Sequence, residues 1–415
     1  MSVSLGARCK SLRLLTKLSN NKGIGRERKN MGTTTPYLWP AAIIMAVAIS
    51  IGIWNPLQNR ANAAPTPASA APRFEVDPYW PKPMPNNWVT GRLGGVCVDA
   101  QDHVFIANRQ DLEEKETETG TSAPPLIEFD PEGNVVNSFG DPKVVPKTIH
   151  SCFVDRENNL WVAGSADGVV QKYTHDGSKL LLQIGTKGVL DSSDGTSNGR
   201  ALNSSHTGFF YPAGIAVDPA NGDVYVADGY GNSRIAVFDR NGHFLRQWGR
   251  QGTAAEAEAA MGGAFLKIVH CVVMDHAGLV YVCDKQGDRV QVFDKMGNFK
   301  RNVLIDPRPH YPNSRPTEWG ANSDVRFSPD SEQRFMYTVD EWRDHIDIFD
   351  NATGQLLSSF GRPGHQLGEF THAHTMAVDS RGNIYVAESG YGRRVQKFRI
   401  VGSSAQSANL RHGNG

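Results

Sequence analysis

The sequence predicts an all-β fold, a single six-bladed β-propeller, on three observations. One strand pattern recurs six times, its period is 50 to 60 residues, and the composition is turn-rich, with 42 glycines in 415 residues and 21% charged residues. The first strand pair of the repeat reads GVCVDAQDHVFIAN (95–108), SCFVDRENNLWVAG (151–164) and GIAVDPANGDVYVAD (214–228). It returns as CVVMDHAGLVYVCD (271–284), VRFSPDSEQRFMYTVD (325–340) and TMAVDSRGNIYVAES (375–389). An outer pair follows, as in LIEFDPEGNVVNSFG (126–140), RIAVFDRNGHFLRQWG (234–249) and HIDIFDNATGQLLSSFG (345–361). Four short strands per period make one blade.

The sixth copy stops after its third strand, at 393–400. The alternating segment Arg73–Asp77 is expected to supply the missing outer strand, which ties the ring shut and covers an open sheet edge. The propeller is thus assigned to 73–400, preceded by an Ala/Pro/Ser/Thr linker at 64–72 and followed by a disordered tail at 401–415.

Residues 1–63 are a signal peptide by pattern, with Met31 as an alternative start. A basic stretch (Arg8 to Lys29) precedes an apolar run (41–54), and Ala61-Asn62-Ala63 forms an A-x-A cleavage signature. The run is shorter than the roughly 20 residues of a membrane-spanning helix. The mature chain is therefore expected in the periplasm or outside the cell, and retention of 41–54 would instead anchor it to the membrane. The formal net charge of zero hides an asymmetry. The first 63 residues hold nine Lys/Arg and one acid, Glu27, which leaves 34 basic and 42 acidic residues beyond them. No basic stripe remains for nucleic acid, and a closed ring is expected to work as a monomer on a small-molecule or peptide substrate. Cys97, Cys152, Cys271 and Cys283 all fall in apolar strand patterns. Export permits disulfides, but the spacing selects no pairing, and buried free thiols are the expectation.

Stacking the blades yields the candidate site. Five residues before the first-strand Asp lie His150, His270 and His374 in blades two, four and six, against Gly94, Ala213 and Asp324 in blades one, three and five. The innermost strands line the central channel, so equivalent positions in alternate blades lie about 120° apart at one height. Three converging imidazoles form a facial nitrogen set for Zn²⁺ or a similar ion, with a fourth position open to water or substrate. Because neighbouring strands are antiparallel, the loops after the second strands emerge on the histidine face. They carry Arg109, Tyr230, Lys285 and Tyr391.

The repeat resembles the NHL-type propellers. The segment 223–249, the three histidines and the pair Asn108-Arg109 resemble the peptidyl-α-hydroxyglycine α-amidating lyases. That resemblance implies a six-bladed propeller in which His150, His270 and His374 hold zinc, Arg109 binds or polarises the substrate, and Tyr230 abstracts a proton. It also implies a structural Ca²⁺ in the channel, bound with the help of an Asp directly after the third histidine, where this chain has Thr375. Two further positions depart from the family. His372 replaces a Met, and Ile149, Val269 and Ala373 replace the Pro before each histidine. His372 is expected to face the same way as His374, as an alternative ligand or a pocket-shaping residue. Two other functions remain open: a non-catalytic propeller binding a protein or glycan around a structural metal, and a lactonase-type hydrolase. The all-histidine set argues against the second, which uses carboxylate-rich calcium sites.

Overall fold

A computed structural model describes residues 71–190, 202–305 and 320–403. The signal-peptide segment, most of the linker and the end of the tail lie outside these residues. Six four-stranded antiparallel sheets succeed one another along the chain. Their innermost strands are Leu93–Val98, Ile149–Val154, Pro212–Val217, Val269–Met274, Asn322–Phe327 and Ala373–Val378. Neighbouring innermost strands pack side by side, and blade six packs against blade one, so the ring closes.

The closure follows the sequence expectation. Pro72–Val76 forms the outer strand of the sixth sheet, with Phe74 opposite Ile400 and Val76 opposite Phe398. The propeller is slightly longer than the repeat suggested. Pro72 pairs with Ser403 and Arg73 with Gly402, so 401–403 are strand and not tail. An edge strand with a pairing partner continues until that partner ends, whatever the local Gly/Ser content.

The core lies between the blades. Each second strand carries one large aromatic residue at an equivalent place: Phe105, Trp161, Tyr225, Tyr281, Tyr337 and Tyr385, all fully buried. Burying such a side chain contributes about 1.5–3 kcal/mol. The hydrophobic clusters mix neighbouring blades, as where Leu93, Val96 and Ile106 of blade one pack with Ala377 and Tyr385 of blade six. Strand alternation on both sheet faces thus becomes blade-to-blade packing.

The thiols are not free. Cys97–Cys152 and Cys271–Cys283 are disulfides. The first pair sits on the innermost strands of blades one and two, 5.7 Å apart at Cα, and the second on adjacent strands of blade four, 4.9 Å apart. Both separations fall in the range a disulfide needs. The expectation of free thiols failed because pairing depends on which strands are neighbours in space.

Candidate metal centre

Each innermost strand breaks its pairing register near its start, skipping one residue or two. The skipped stretch includes His150, His270 and His374 in the even blades and is Gly94, Ala213 and Ser323 in the odd ones. A bulge re-aims the side chain it carries, here into the channel. The blade-five position is therefore Ser323 and not Asp324. The irregular turn Ser328-Pro329-Asp330 has Ser328 in the place of the first-strand Asp, which moves the count by one.

The three histidines meet. Their ligand nitrogens lie within 4.8 Å of one another, the ring centroids are 4.7–5.0 Å apart, and each residue is at most 4% exposed. Each Nδ1 contacts a backbone carbonyl of the next blade: His150 with Ala213 at 3.0 Å, His270 with Ser323 at 2.6 Å, and His374 with Gly94 at 3.0 Å. A carbonyl only accepts, so each Nδ1 carries the proton and each Nε2 keeps its lone pair. Burial is the main force holding the imidazoles neutral. His270 falls to about 3, with the Lys285 ammonium adding to the effect, and His150 and His374 fall well below the usual histidine range. Three neutral imidazoles with oriented outer nitrogens fit a divalent transition metal of the zinc type.

Small residues make this geometry sterically accessible. A Cβ on Gly94 would stand 1.8 Å from the Ile149 carbonyl oxygen and 3.2 Å from Arg109 Nε. One on Gly229 would stand 2.1 Å from the Val269 carbonyl oxygen. Gly229 thereby lets the following residue, Tyr230, reach across the ring. The Tyr230 hydroxyl lies 3.1 Å from Nε2 of both His150 and His270. Burial raises the phenol well above its ordinary range, Glu341 adds to that, and Arg109 opposes it. The Arg109 Nε donates to the Ile149 carbonyl at 3.1 Å, next to His150. Arg109 and Tyr230 therefore sit where the sequence placed them.

The other second-strand loops divide. Lys285 is buried and pairs with Glu341 at 2.6 Å, while Tyr391 is 88% exposed and takes no part in the cluster. His372 does not join the three histidines. It precedes the strand at φ 69° and pairs through Nε2 with Glu341 Oε1 at 2.6 Å. Burial would raise the Glu341 carboxyl, but Lys285 and His372 hold it down at about 2. Sequence reasoning missed Glu341. It directly follows the blade-five second strand, Phe335–Asp340, and stacking that blade with the others would have exposed it.

The residues present do not fit a calcium ion. Thr375 supplies only a hydroxyl, buried and without a partner. The carboxylate of Asp324 is already committed, accepting from Val325 N and Arg326 Nη1 on one oxygen and Met376 N on the other. Arg326 brings the positive charge to a cavity of about 20 Å³ below the histidines, so a second cation there would face a guanidinium.

Comparison with known proteins agrees with the fold. The NHL repeat family matches residues 209–238. NHL repeat-containing protein 3 of Homo sapiens is 27% identical over 342 residues, covering 80% of this chain and 86% of that protein. Peptidyl-alpha-hydroxyglycine alpha-amidating lyase 1 of Drosophila melanogaster is 29% identical over 255 residues, covering 60% of this chain and 44% of the fly protein. A solved structure of a Bacteroides thetaiotaomicron protein of unknown function shares the fold at a TM-score of 0.50 and 13% identity, over 75% of this chain and 70% of that one. The chain is a six-bladed β-propeller carrying an NHL repeat, and it resembles the peptidyl-α-hydroxyglycine α-amidating lyases.

Proposed function

We propose that the protein is an exported, metal-dependent carbon–nitrogen lyase that splits a carbinolamide, R–CO–NH–CH(OH)–COO⁻, into a primary amide and glyoxylate. One observation carries the reading: a phenol oxygen 3.1 Å from two members of a buried three-histidine ring, with the Arg109 guanidinium acting electrostatically on that phenol. Similarity to the fly lyase supports it. Two disulfides support an oxidising compartment.

The reaction needs a base at the hydroxyl and charge stabilisation on the departing side. Tyr230 Oη is placed to take the hydroxyl proton once the phenol is ionised, which a divalent ion beside it would favour against the effect of burial. As that O–H bond breaks, the carbon–oxygen double bond of glyoxylate forms. The C–N electron pair leaves with the amide nitrogen, which takes up the proton that Tyr230 removed and so gives the primary amide. Arg109 presents a guanidinium to the substrate carboxylate and favours the ionised form of Tyr230. A divalent ion held by His150, His270 and His374 would supply the Lewis acid that stabilises the charge developing on the substrate oxygen. Glyoxylate release from an α-hydroxyglycine-extended peptide tests the proposal with the zinc-loaded protein. Release above the buffer blank is expected and should need Tyr230. Release no faster than the blank at saturating substrate would leave a non-catalytic propeller.

A further inference from the structure

At the end of blade one opposite the histidine ring, four potential metal-ligating side chains cluster. Asp99 and His103 flank the turn between the first two strands, Glu128 lies on the third strand, Leu126–Phe129, and His175 lies on the outer hairpin of blade two. His103 Nδ1 is 2.6 Å from Glu128 Oε1. His175 Nε2 is 2.8 Å from Asp99 Oδ2 and 4.0 Å from Glu128 Oε1. The ligand atoms of Asp99, His103 and Glu128 lie within 4.8 Å of one another. Both carboxylates are buried, and both imidazoles are 31% exposed, open to an ion arriving from solvent.

The other blades show how unusual this is. At the seam of blades three and four, Asp218 takes the Asp99 role and pairs with Lys295 at 2.6 Å. In blade two Asp155 has Lys172 at 3.0 Å and the Trp161 indole at 2.8 Å, and in blade six Asp379 has the Tyr385 hydroxyl at 3.1 Å. Blade one has Phe105 where those aromatics stand, and so no polar ring tip. Glu128 occupies the position of Val237, Val292 and Ile348, and of Lys172 and Lys397 in the remaining blades. Nothing in the blade's packing calls for a second buried carboxylate there, and burying one is costly unless it is paired. Among the described residues, no lysine or arginine forms an ion pair with Asp99 or Glu128. Two imidazole nitrogens and two carboxylates are a donor set for a borderline divalent metal.

We propose that Asp99, His103, Glu128 and His175 form a second divalent-metal site, of the zinc type, that clamps blade one to blade two. It shares that seam with the Cys97–Cys152 disulfide. The site does not depend on the histidine ring or on catalysis.

The test counts zinc per chain by mass spectrometry after chelation and reloading, and two equivalents are expected. His175→Lys keeps a cation against Asp99, as Lys295 does for Asp218, yet removes a ligand, so the count should fall to one. Glu128→Val installs the residue other blades use and should do the same. In a His150→Ala/His374→Ala chain, one equivalent should remain, zinc should raise the Tm, and adding His175→Lys should abolish both effects. Unchanged zinc in His175→Lys and Glu128→Val, or none in the ring-deficient chain, would overturn the proposal. An unmodified chain holding a single ion that His175→Lys removes would support this site and contradict the ring.

Discussion

Odd and even blades share one backbone and divide the work of the channel between them. Each innermost strand breaks register near its start, and the even blades use the break to aim an imidazole inward. The odd blades place Gly94, Ala213 or Ser323 there, and each offers its carbonyl to the histidine of the preceding blade. Neither set would suffice alone. Six histidines would crowd one axis, and six small residues would leave it without an imidazole. Alternation gives three oriented ligands and three free sectors. Tyr230, from odd blade three, reaches between the histidines of blades two and four.

Breaking that division should have graded effects. Tyr230→Phe removes an odd-blade hydroxyl that touches two even-blade histidines. It should lower kcat about 10²–10⁴-fold with zinc content unchanged, as steady-state kinetics and metal counting would show. The disulfides compare a link across an odd–even seam with one inside an even blade. Cys97→Ser/Cys152→Ser opens a loop spanning 55 residues and should cost about 4 kcal/mol in denaturant unfolding. Cys271→Ser/Cys283→Ser opens one spanning 12 and should cost about 3 kcal/mol.

The third perturbation is aimed at the odd-blade carbonyls. In Gly94→Ala the new methyl meets the Ile149 carbonyl oxygen, and relieving that clash shifts the Gly94 backbone, whose own carbonyl oxygen orients His374. Zinc affinity should fall about 10–100-fold by calorimetric titration. Ala213→Gly keeps its carbonyl and should bind zinc like the unmodified chain. Tyr391→Ala, in an exposed even-blade loop, should change stability by less than about 0.5 kcal/mol and leave turnover unaltered.

The ring was legible because a channel-lining strand repeats at one register, so a count from the first-strand Asp finds its inward residues. The same count failed in blade five, where Ser328-Pro329 interrupts the turn and the inward residue is Ser323. Strand polarity correctly placed Arg109 and Tyr230 on the histidine face. It could not separate Lys285, which turns in to Glu341, from Tyr391, which turns out, because loop direction beyond the strand end is set by tertiary contacts. The Cys97–Cys152 disulfide and the Asp99–His175 pair join residues 55 and 76 positions apart across a blade seam. Periodicity within a blade carries no trace of such pairings.

In the proposed centre, three even-blade histidines hold one metal ion through the nitrogens their odd-blade neighbours leave free. A crystal structure of the zinc-loaded protein, with anomalous scattering at the zinc edge, tests it most directly. A peak is expected on the propeller axis, with Nε2 of His150, His270 and His374 each about 2.0–2.1 Å away and every Nδ1 still on its carbonyl. An axis without a peak, or an ion bound through Nδ1 with the carbonyl contacts broken, would contradict it.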